Sequence, residues 1–556
     1  MSFLSKVCTC SKLSLIYTLP LLITSLLGPI RKVKGQPKSQ NPSLNEHTAT
    51  QTRGTLFQKG ISYTAWWSGQ YTAPGADLSL QNLAETGANW ISLVATAYQD
   101  SYTSTTIDFT GAHTPADEGL IHVIGLAHQM GLKVMLKPHV DLNDESNGRW
   151  RGHIGTNFST ETEWNTWFAS YRTFITHYAQ LAQTYGADQF CIGTELLGTT
   201  HREADWRQII ADVRAVYDGP IIYAALHSGE ETDITWWDAV DYIGVDGYYP
   251  LNDDLSTPPT VEELEAAWEA PKTILADLAS TYGKPIILTE LGYRSHHGCS
   301  AHPWDSNTVS ELDLEEQAFA YKAAFRQLYD EEWIGGIFWW QWHADRFISG
   351  PCNDGYSPHV KPAENILRSW YGGESPGVKT QTVDEDRVQD IYTDNLAAGW
   401  QNWSWDAVVN ATSAEYAHSG HRSISMSLDA WGALSLQHAP FKASQYHWLE
   451  FYVRGSAADQ PDLQVYWETA GGEALPPALV NYCLYLEDET IKADTWKRVR
   501  IPLDDLAVTD QDLVRLNIQN KSHQDSGTFW IDDLRLVGST TYTDQVFLPL
   551  VVRAGD

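Results

Sequence analysis

Between residues 59 and 373 the chain alternates eight times between a short apolar run and a longer segment with helical spacing of its apolar residues. The strand-like runs fall at 60–65, 90–95, 133–138, 189–194, 221–225, 242–246, 285–289 and 336–340. Helix-period stretches lie between them, at 116–130, 161–185, 261–282 and 314–329 among others. Strands that alternate with helices must pair in parallel, because each helix carries the chain back to the starting edge. Eight such units over this length predict a closed (β/α)8 barrel over 57–373 in preference to an open doubly wound sheet. A glycine-rich phosphate loop after the first strand is missing, which removes the usual dinucleotide-binding reading.

After a Pro/Gly-containing linker at 374–382 the pattern changes. Residues 383–540 hold short runs of alternating polarity, such as 423–428, 448–453, 463–467 and 498–501, separated by turn residues. That spacing predicts an antiparallel, jelly-roll-like β-sandwich. At the amino end, Lys6 and Lys12 precede the apolar run 13–30, with Arg31, Lys32 and Lys34 behind it. Residues 1–35 read as an export signal, the basic flank leaving an uncleaved anchor as the alternative. A polar tether follows at 36–56, and a tail with Pro549 closes the chain at 541–556.

The formal net charge is −33, and five basic but no acidic side chains fall in the first 35 residues, so the body is more acidic still. Nucleic acid and anionic membrane surfaces are poor partners for such a body, whereas a neutral polysaccharide carries no penalty. The chain is expected to be secreted or held at the cell surface, and to act as a monomer. Four cysteines lie beyond the leader. Cys299 and Cys352 both follow barrel strands at one end, where an oxidising compartment permits a bridge, and Cys191 sits inside an apolar strand as a small core residue.

In a parallel barrel, residues at the carboxyl ends of different strands converge on one cleft, so groups distant in sequence can meet. Glu195 follows the fourth strand and Glu290 ends the seventh. Two carboxyl groups facing one sugar ring are what retaining glycoside hydrolysis needs, one as nucleophile and one as acid and then base. Around them, Lys137, His139 and Asp141 follow the third strand, with Lys and His able to donate to sugar hydroxyls. His227 ends the fifth, and Tyr248 and Tyr249 follow the sixth, either tyrosine able to hydrogen-bond the nucleophile. Arg294 is a second candidate for holding Glu290 ionised. Trp66 and Trp67 follow the first strand, and Trp340 and Trp342 share one face of the eighth by the period of two, a candidate floor for stacking sugar.

The ordered set Lys137-Pro-His139-Val-Asp141, Gly193-Thr-Glu195, Thr289-Glu290-Leu-Gly-Tyr-Arg-Ser295 and Phe338-Trp-Trp-Gln-Trp342 resembles glycoside hydrolase family 113 over about residues 57–373. The resemblance implies an endo-acting β-1,4-mannanase of the retaining (β/α)8 clan, with Glu195 as acid/base and Glu290 as nucleophile. Thr194 stands where that clan commonly has asparagine, a change compatible with the axial 2-hydroxyl of mannose. A β-glucanase of the same mechanism, or a lectin using the cleft without catalysis, are the alternatives. The motif Trp400-Gln-Asn-Trp403-Ser-Trp405 and Trp431 give the second domain the look of a carbohydrate-binding appendage. Catalysis of this kind calls for no cofactor; Asp394, Asp532 and Asp533 supply carboxylate oxygens of the type a structural Ca2+ takes.

Overall fold

The computed structural model describes residues 57–253, 255, 257–374, 387–456, 461–486 and 490–538. The leader, the tether, most of the linker and the tail lie outside the described residues.

Eight parallel strands close into a barrel in chain order: β1 (Gln58–Thr64), β2 (Trp90–Gln99), β3 (Lys133–Leu142), β4 (Gln189–Thr194), β5 (Ile221–Leu226), β6 (Tyr242–Asp246), β7 (Ile286–Leu291) and β8 (Ile334–His343). Each is buried on both faces, which is why the runs read as continuously apolar and lack an alternation. Trp90, Met135, Cys191, Ile222, Ala224, Ile287 and Phe338 form one buried cluster of strand side chains. The helices pack around the outside. Residues 161–185 show why such a segment is helical: Trp164, Trp167, Phe168, Tyr171, Phe174, Ile175 and Tyr178 recur three and four apart and are buried. Thr160 and Glu163 form a reciprocal capping box at its start, and Gly186, at φ 84°, ends it. The single helix predicted at 261–282 is instead two, Val261–Ala267 and Glu269–Tyr282, broken at Trp268. Pro271 explains the break: it has no N–H to continue a ladder, and it is tolerated in the first turn of the second helix.

The second domain is antiparallel: β9 (Arg387–Tyr392), β10 (Gln401–Asn402), β11 (Trp405–Ser413), β12 (Ser423–Lys442), β13 (Trp448–Arg454), β14 (Leu463–Thr469), β15 (Ala478–Leu479), β16 (Lys497–Pro502), β17 (Asp512–Asn520) and β18 (Phe529–Gly538). The path runs β15-β14-β17-β12-β18-β13-β16, with β10 and β11 on β12 and β9 on β18. The 20-residue β12 is shared, its first part pairing β11 and β18 and its second part β10 and β17. One apolar core, separate from the barrel's, fills the domain.

The bridge that forms is Cys352–Cys483, between the loop after β8 and the second domain; Cys299 stays free and buried. The expected Cys299–Cys352 pairing fails because Cys299 is packed into the barrel core, beside the carboxyl of Glu316. Around the bridge, Arg346 of the same loop pairs with Asp505, and Phe347 packs its ring 5.2 Å from that of Tyr482.

Candidate active site

Glu195 and Glu290 lie at the carboxyl ends of β4 and β7, as the barrel requires, and their surroundings differ. Glu290 is buried and accepts from two donors: Lys137 Nζ at 2.6 Å and the Tyr248 hydroxyl at 2.7 Å. Lys137 also donates to both carboxylate oxygens of Asp246, at 3.0 and 3.3 Å, and Thr289 Oγ1 donates to Asp246 at 2.7 Å. Burial by itself would lower the Lys137 ammonium, but the carboxylates of Asp246 and Glu290 outweigh it and raise it, so the cation persists. Asp246 is pushed up to about 7, first by burial and then by the charge of Glu290. One ammonium is thus shared by two buried carboxylates.

Glu195 has a cation only at longer range, with no ammonium hydrogen-bonded to it. Burial, then the charge of Asp246, pushes its carboxyl well above the usual range; Arg151, whose Nη1 stands 3.7 Å away, pulls it the other way. Its backbone is left-handed, at φ 51°, a conformation that costs a non-glycine residue roughly 1–3 kcal/mol. Hydrogen bonds hold it there: Glu195 N–H to the Ala224 carbonyl at 2.8 Å, and Leu196 N–H to the Tyr223 hydroxyl at 2.9 Å. Gly193 makes the turn possible, since a Cβ there would meet Tyr223, Trp206 and the Tyr171 hydroxyl at 2.7–2.9 Å.

His139 links the two halves. Arg151 Nη1 approaches its Nδ1 at 3.2 Å, and a guanidinium can only donate, so Nδ1 accepts and Nε2 carries the hydrogen. Burial, then the charges of Arg151 and Lys137, pushes the imidazole well below its ordinary range, so it is neutral. Nε2–H, 3.6 Å from Glu290 Oε1, has no hydrogen-bond partner in the protein. Arg151 is fixed by a bidentate pair with Asp141, at 2.8 and 3.1 Å.

Several expected roles change. The Lys137 ammonium is taken up by Asp246 and Glu290, so it orients the nucleophile and has no hydrogen bond left over for a sugar hydroxyl. Asp141 is spent on Arg151. Arg294 points away from Glu290, onto Asp354 at 2.7 Å and the Thr308 carbonyl at 2.6 Å. Of the two tyrosines, Tyr248 serves Glu290, while Tyr249 donates to Glu231 at 3.3 Å. Thr194 is buried, with Oγ1 4.0 Å from Cys191 Sγ.

The floor of the cleft also differs from a simple alternation. β8 pairs Ile61 with Trp339 but Tyr63 with Trp342, so one extra residue of β8 bulges between, and the period of two no longer relates Trp340 to Trp342. Trp342 is consequently core, its Nε1 donating to the Ser79 carbonyl at 3.0 Å. Trp340 remains at the cleft, stacked on His139 at 6.1 Å and 10° between planes, with Trp66 edge-on at 6.3 Å. Trp67 is exposed and pairs with the His113 ring at 4.2 Å. His227, lowered to about 4 by burial, lines a side cleft of about 440 Å³ with Tyr249 and the half-exposed Trp304, whose ring is 5.8 Å away.

Three participants escaped the sequence reading. Arg151 lies in a short turn well past β3, and nothing local marks it. Trp304 lies in a loop without periodicity. Asp246 was visible as the only acid inside an otherwise apolar β6 run, a signal that a buried partner cation must exist.

Asp394, Asp532 and Asp533 act as turn acceptors. Asp394 takes the amides of His421 and Arg422, Asp532 those of His418, Ser419 and Asp533, and Asp533 pairs with His418 and Ser419 Oγ. Among the described residues, the group of metal-type ligands that does converge is His297, Asp313 and Glu316 on the barrel.

A (β/α)8 barrel with two buried strand-end glutamates, one held by donors and one whose carboxyl burial pushes upward, defines a glycoside hydrolase. The model of Glycoside Hydrolase Family 113 matches residues 62–361, and the chain belongs to that family. A second model, the expansin-like protein C-terminal domain, matches residues 391–539. Among solved structures, a complex of a GH113 beta-1,4-mannanase is similar at 31% identity over 57% of this chain and 99% of that one, with a TM-score of 0.51. The GH113 beta-mannanase AaManA from Alicyclobacillus acidocaldarius, in complex with ManMIm, is similar at 31% identity over 57% of this chain and 97% of that one, again with a TM-score of 0.51. A search of curated proteins found no match.

Proposed function

We propose that the protein is a secreted, monomeric, retaining endo-β-1,4-mannanase that cleaves mannan-type polysaccharide by double displacement. The observation that carries the mechanism is the contrast between the two glutamates. Glu290, gripped by Lys137 and Tyr248, is the nucleophile: it attacks the anomeric carbon as the glycosidic bond breaks. Glu195, protonated because burial disfavours its charge, gives its proton to the departing oxygen. It then takes a proton from water, whose oxygen attacks the glycosyl ester, freeing Glu290 and returning the sugar in its original configuration. His139 Nε2–H is a donor for the substrate, and Trp340 and Trp66 offer ring faces for a pyranose. Mannan is supported by the two mannanases at 31% identity. Secretion is supported by the basic–apolar leader and by an oxidised Cys352–Cys483 pair.

The test is digestion of a polysaccharide panel with product sizing and anomer detection by NMR. Manno-oligosaccharides should be cleaved with kcat/KM at least about tenfold above matched cello-oligosaccharides, roughly 1.4 kcal/mol in transition-state binding, with β-anomers appearing first. Equal or reversed preference would move the substrate to β-glucan; α-anomers first would remove the double displacement. Replacing Glu290 or Glu195 by Gln should cost on the order of three decades of kcat on unactivated substrate.

A further inference from the structure

Behind the end of β4 lies a buried carboxyl, Glu230, that the chemistry above does not use. Tyr223 precedes, on β5, the Ala224 carbonyl that takes the Glu195 amide, and its side chain lies on the other side of the sheet, in the core beneath the helices. There the rings of Trp206 and Trp236 stand edge-on to it, each at 5.2 Å, and fix the phenol in place. Its hydroxyl meets two groups: the Leu196 N–H donates to it at 2.9 Å, and it donates to Glu230 Oε1 at 2.6 Å. Glu230 opens the short helix Glu230–Asp233 after β5 and is fully buried; its other oxygen takes the Leu226 N–H at 2.6 Å.

A carboxyl in that place is costly. Burial pushes Glu230 up to about 8 and the charges of Asp246 and Glu231 push the same way, while the bonds from Tyr223 and Leu226 act against them. Packing alone would favour an apolar side chain here, so what the carboxyl supplies is an acceptor. A phenol hydroxyl has one hydrogen and must place it somewhere. With Glu230 Oε1 taking that hydrogen, the oxygen presents a lone pair to Leu196; without it, the hydrogen is free to turn toward the amide. Leu196 needs the lone pair because Glu195 is left-handed, at φ 51°, and the pairing of β4 with β5 ends at Thr194, so its buried N–H has left the ladder. The strain of a left-handed non-glycine residue and the cost of stranding a buried N–H are of the same order. The Tyr223 acceptor therefore decides whether the turn holds.

We propose that Tyr223 and Glu230 are positioning residues for Glu195: Glu230 orients the Tyr223 hydroxyl, the hydroxyl holds the Leu196 N–H, and that bond keeps the Glu195 carboxyl aimed at the departing oxygen. Both side chains are fully buried and act only through the backbone of Leu196. The inference rests on the acid/base role proposed above for Glu195. It predicts a signature that general loosening of the barrel does not share. A misaimed acid slows only those bond cleavages that need a proton, since a leaving group that is stable as an anion departs unaided. Glu290, on β7 and held by Lys137 and Tyr248, stands outside the relay, so nucleophilic attack is preserved.

The experiment compares kcat/KM, which reports formation of the glycosyl-enzyme, on mannopentaose and on dinitrophenyl β-mannobioside, the cello-series taking their place if the polysaccharide panel selects β-glucan. In the full chain, Tyr223→Phe should lose about tenfold or more on the oligosaccharide and stay within about threefold of wild type on the dinitrophenyl glycoside. Glu230→Gln keeps the shape but sets an amide NH2 against Leu226 or Tyr223; it should show the same split to a smaller extent, and it carries the test if Tyr223→Phe does not fold. Glu195→Ala, run alongside, is the reference for a lost acid. A split in Glu195→Ala that neither substitution reproduces, whether they lose equally on both substrates or not at all, overturns the relay and leaves the role of Glu195 standing. No split in Glu195→Ala overturns that role and the relay with it.

Discussion

Glu195 is the residue where chemistry and folding conflict. Its carboxyl is held well above the usual range chiefly by burial, so the native state keeps a proton that the unfolded chain releases. Stability contributed by that proton is neutral below the unfolded carboxylate pKa, about 4.3, and is lost progressively as pH rises above it. Glu195→Gln removes the ionisable group, and should stabilise the protein at neutral pH by about 0.5–2 kcal/mol while cutting kcat on unactivated substrate by about three decades, the gain in stability vanishing near pH 4. Thermal unfolding at the two pH values checks this; an equal gain at both would show that the titration is not its source. The same proton sets the pH dependence of catalysis. The acid form is the active one, so kcat/KM falls as pH rises through the pKa of Glu195. Arg151, ahead of Lys137, pulls this value down. Arg151→Gln should therefore shift the alkaline limb of the kcat/KM profile to higher pH, even as the maximum drops. A limb that stays in place would mean the guanidinium does not act on Glu195.

At the scale of elements, the end of β4 is the point of least tolerance. Gly193 lets the strand pass between Tyr171, Trp206 and Tyr223 before Glu195 turns left-handed. Gly193→Ala forces a methyl against those three side chains, and should destabilise the barrel by about 1–3 kcal/mol. Because the same strand aims Glu195, kcat should fall further than the loss of folded protein explains. Denaturant titration beside active-site-normalised kinetics separates the two, and an Ala variant with wild-type kcat would show that the turn does not depend on this packing. β8 teaches the complementary point. A bulge opposite Ser62 sends Trp342 into the core and leaves Trp340 at the cleft, so two tryptophans two positions apart in one motif do different work.

For the whole molecule, the Cys352–Cys483 bridge, the Arg346–Asp505 pair and the Phe347 ring tie the loop after β8 to the second domain. The bridge spans 131 residues of chain, and its removal should cost about 2–4 kcal/mol in the second domain. Cys483→Ser, or reductant, should lower that domain's calorimetric transition, with hydrolysis of short soluble substrate persisting at temperatures below it. Unchanged calorimetry would mean the bridge constrains nothing that the packing of Phe347 does not already hold.

The order of elements was legible along the chain because it depends on local pattern. Runs buried on both faces are apolar throughout, helices repeat every three to four residues, and eight repeats leave few ways to close a parallel sheet. Glu195 and Glu290 could be picked out for the same reason, each marking the end of a strand run. What decides the site is not local. Arg151 reaches His139, Asp141 and Glu195 from a separate turn; Arg294 lies four residues from Glu290 and yet bonds Asp354; Cys352 chooses Cys483 over Cys299 across a domain boundary. Charge pairing, register shifts and disulfide choice act over a few ångströms in space between residues tens or hundreds of positions apart. Periodicity therefore determines which elements form and in what order, while only closure of the barrel and docking of the second domain determine which side chains meet.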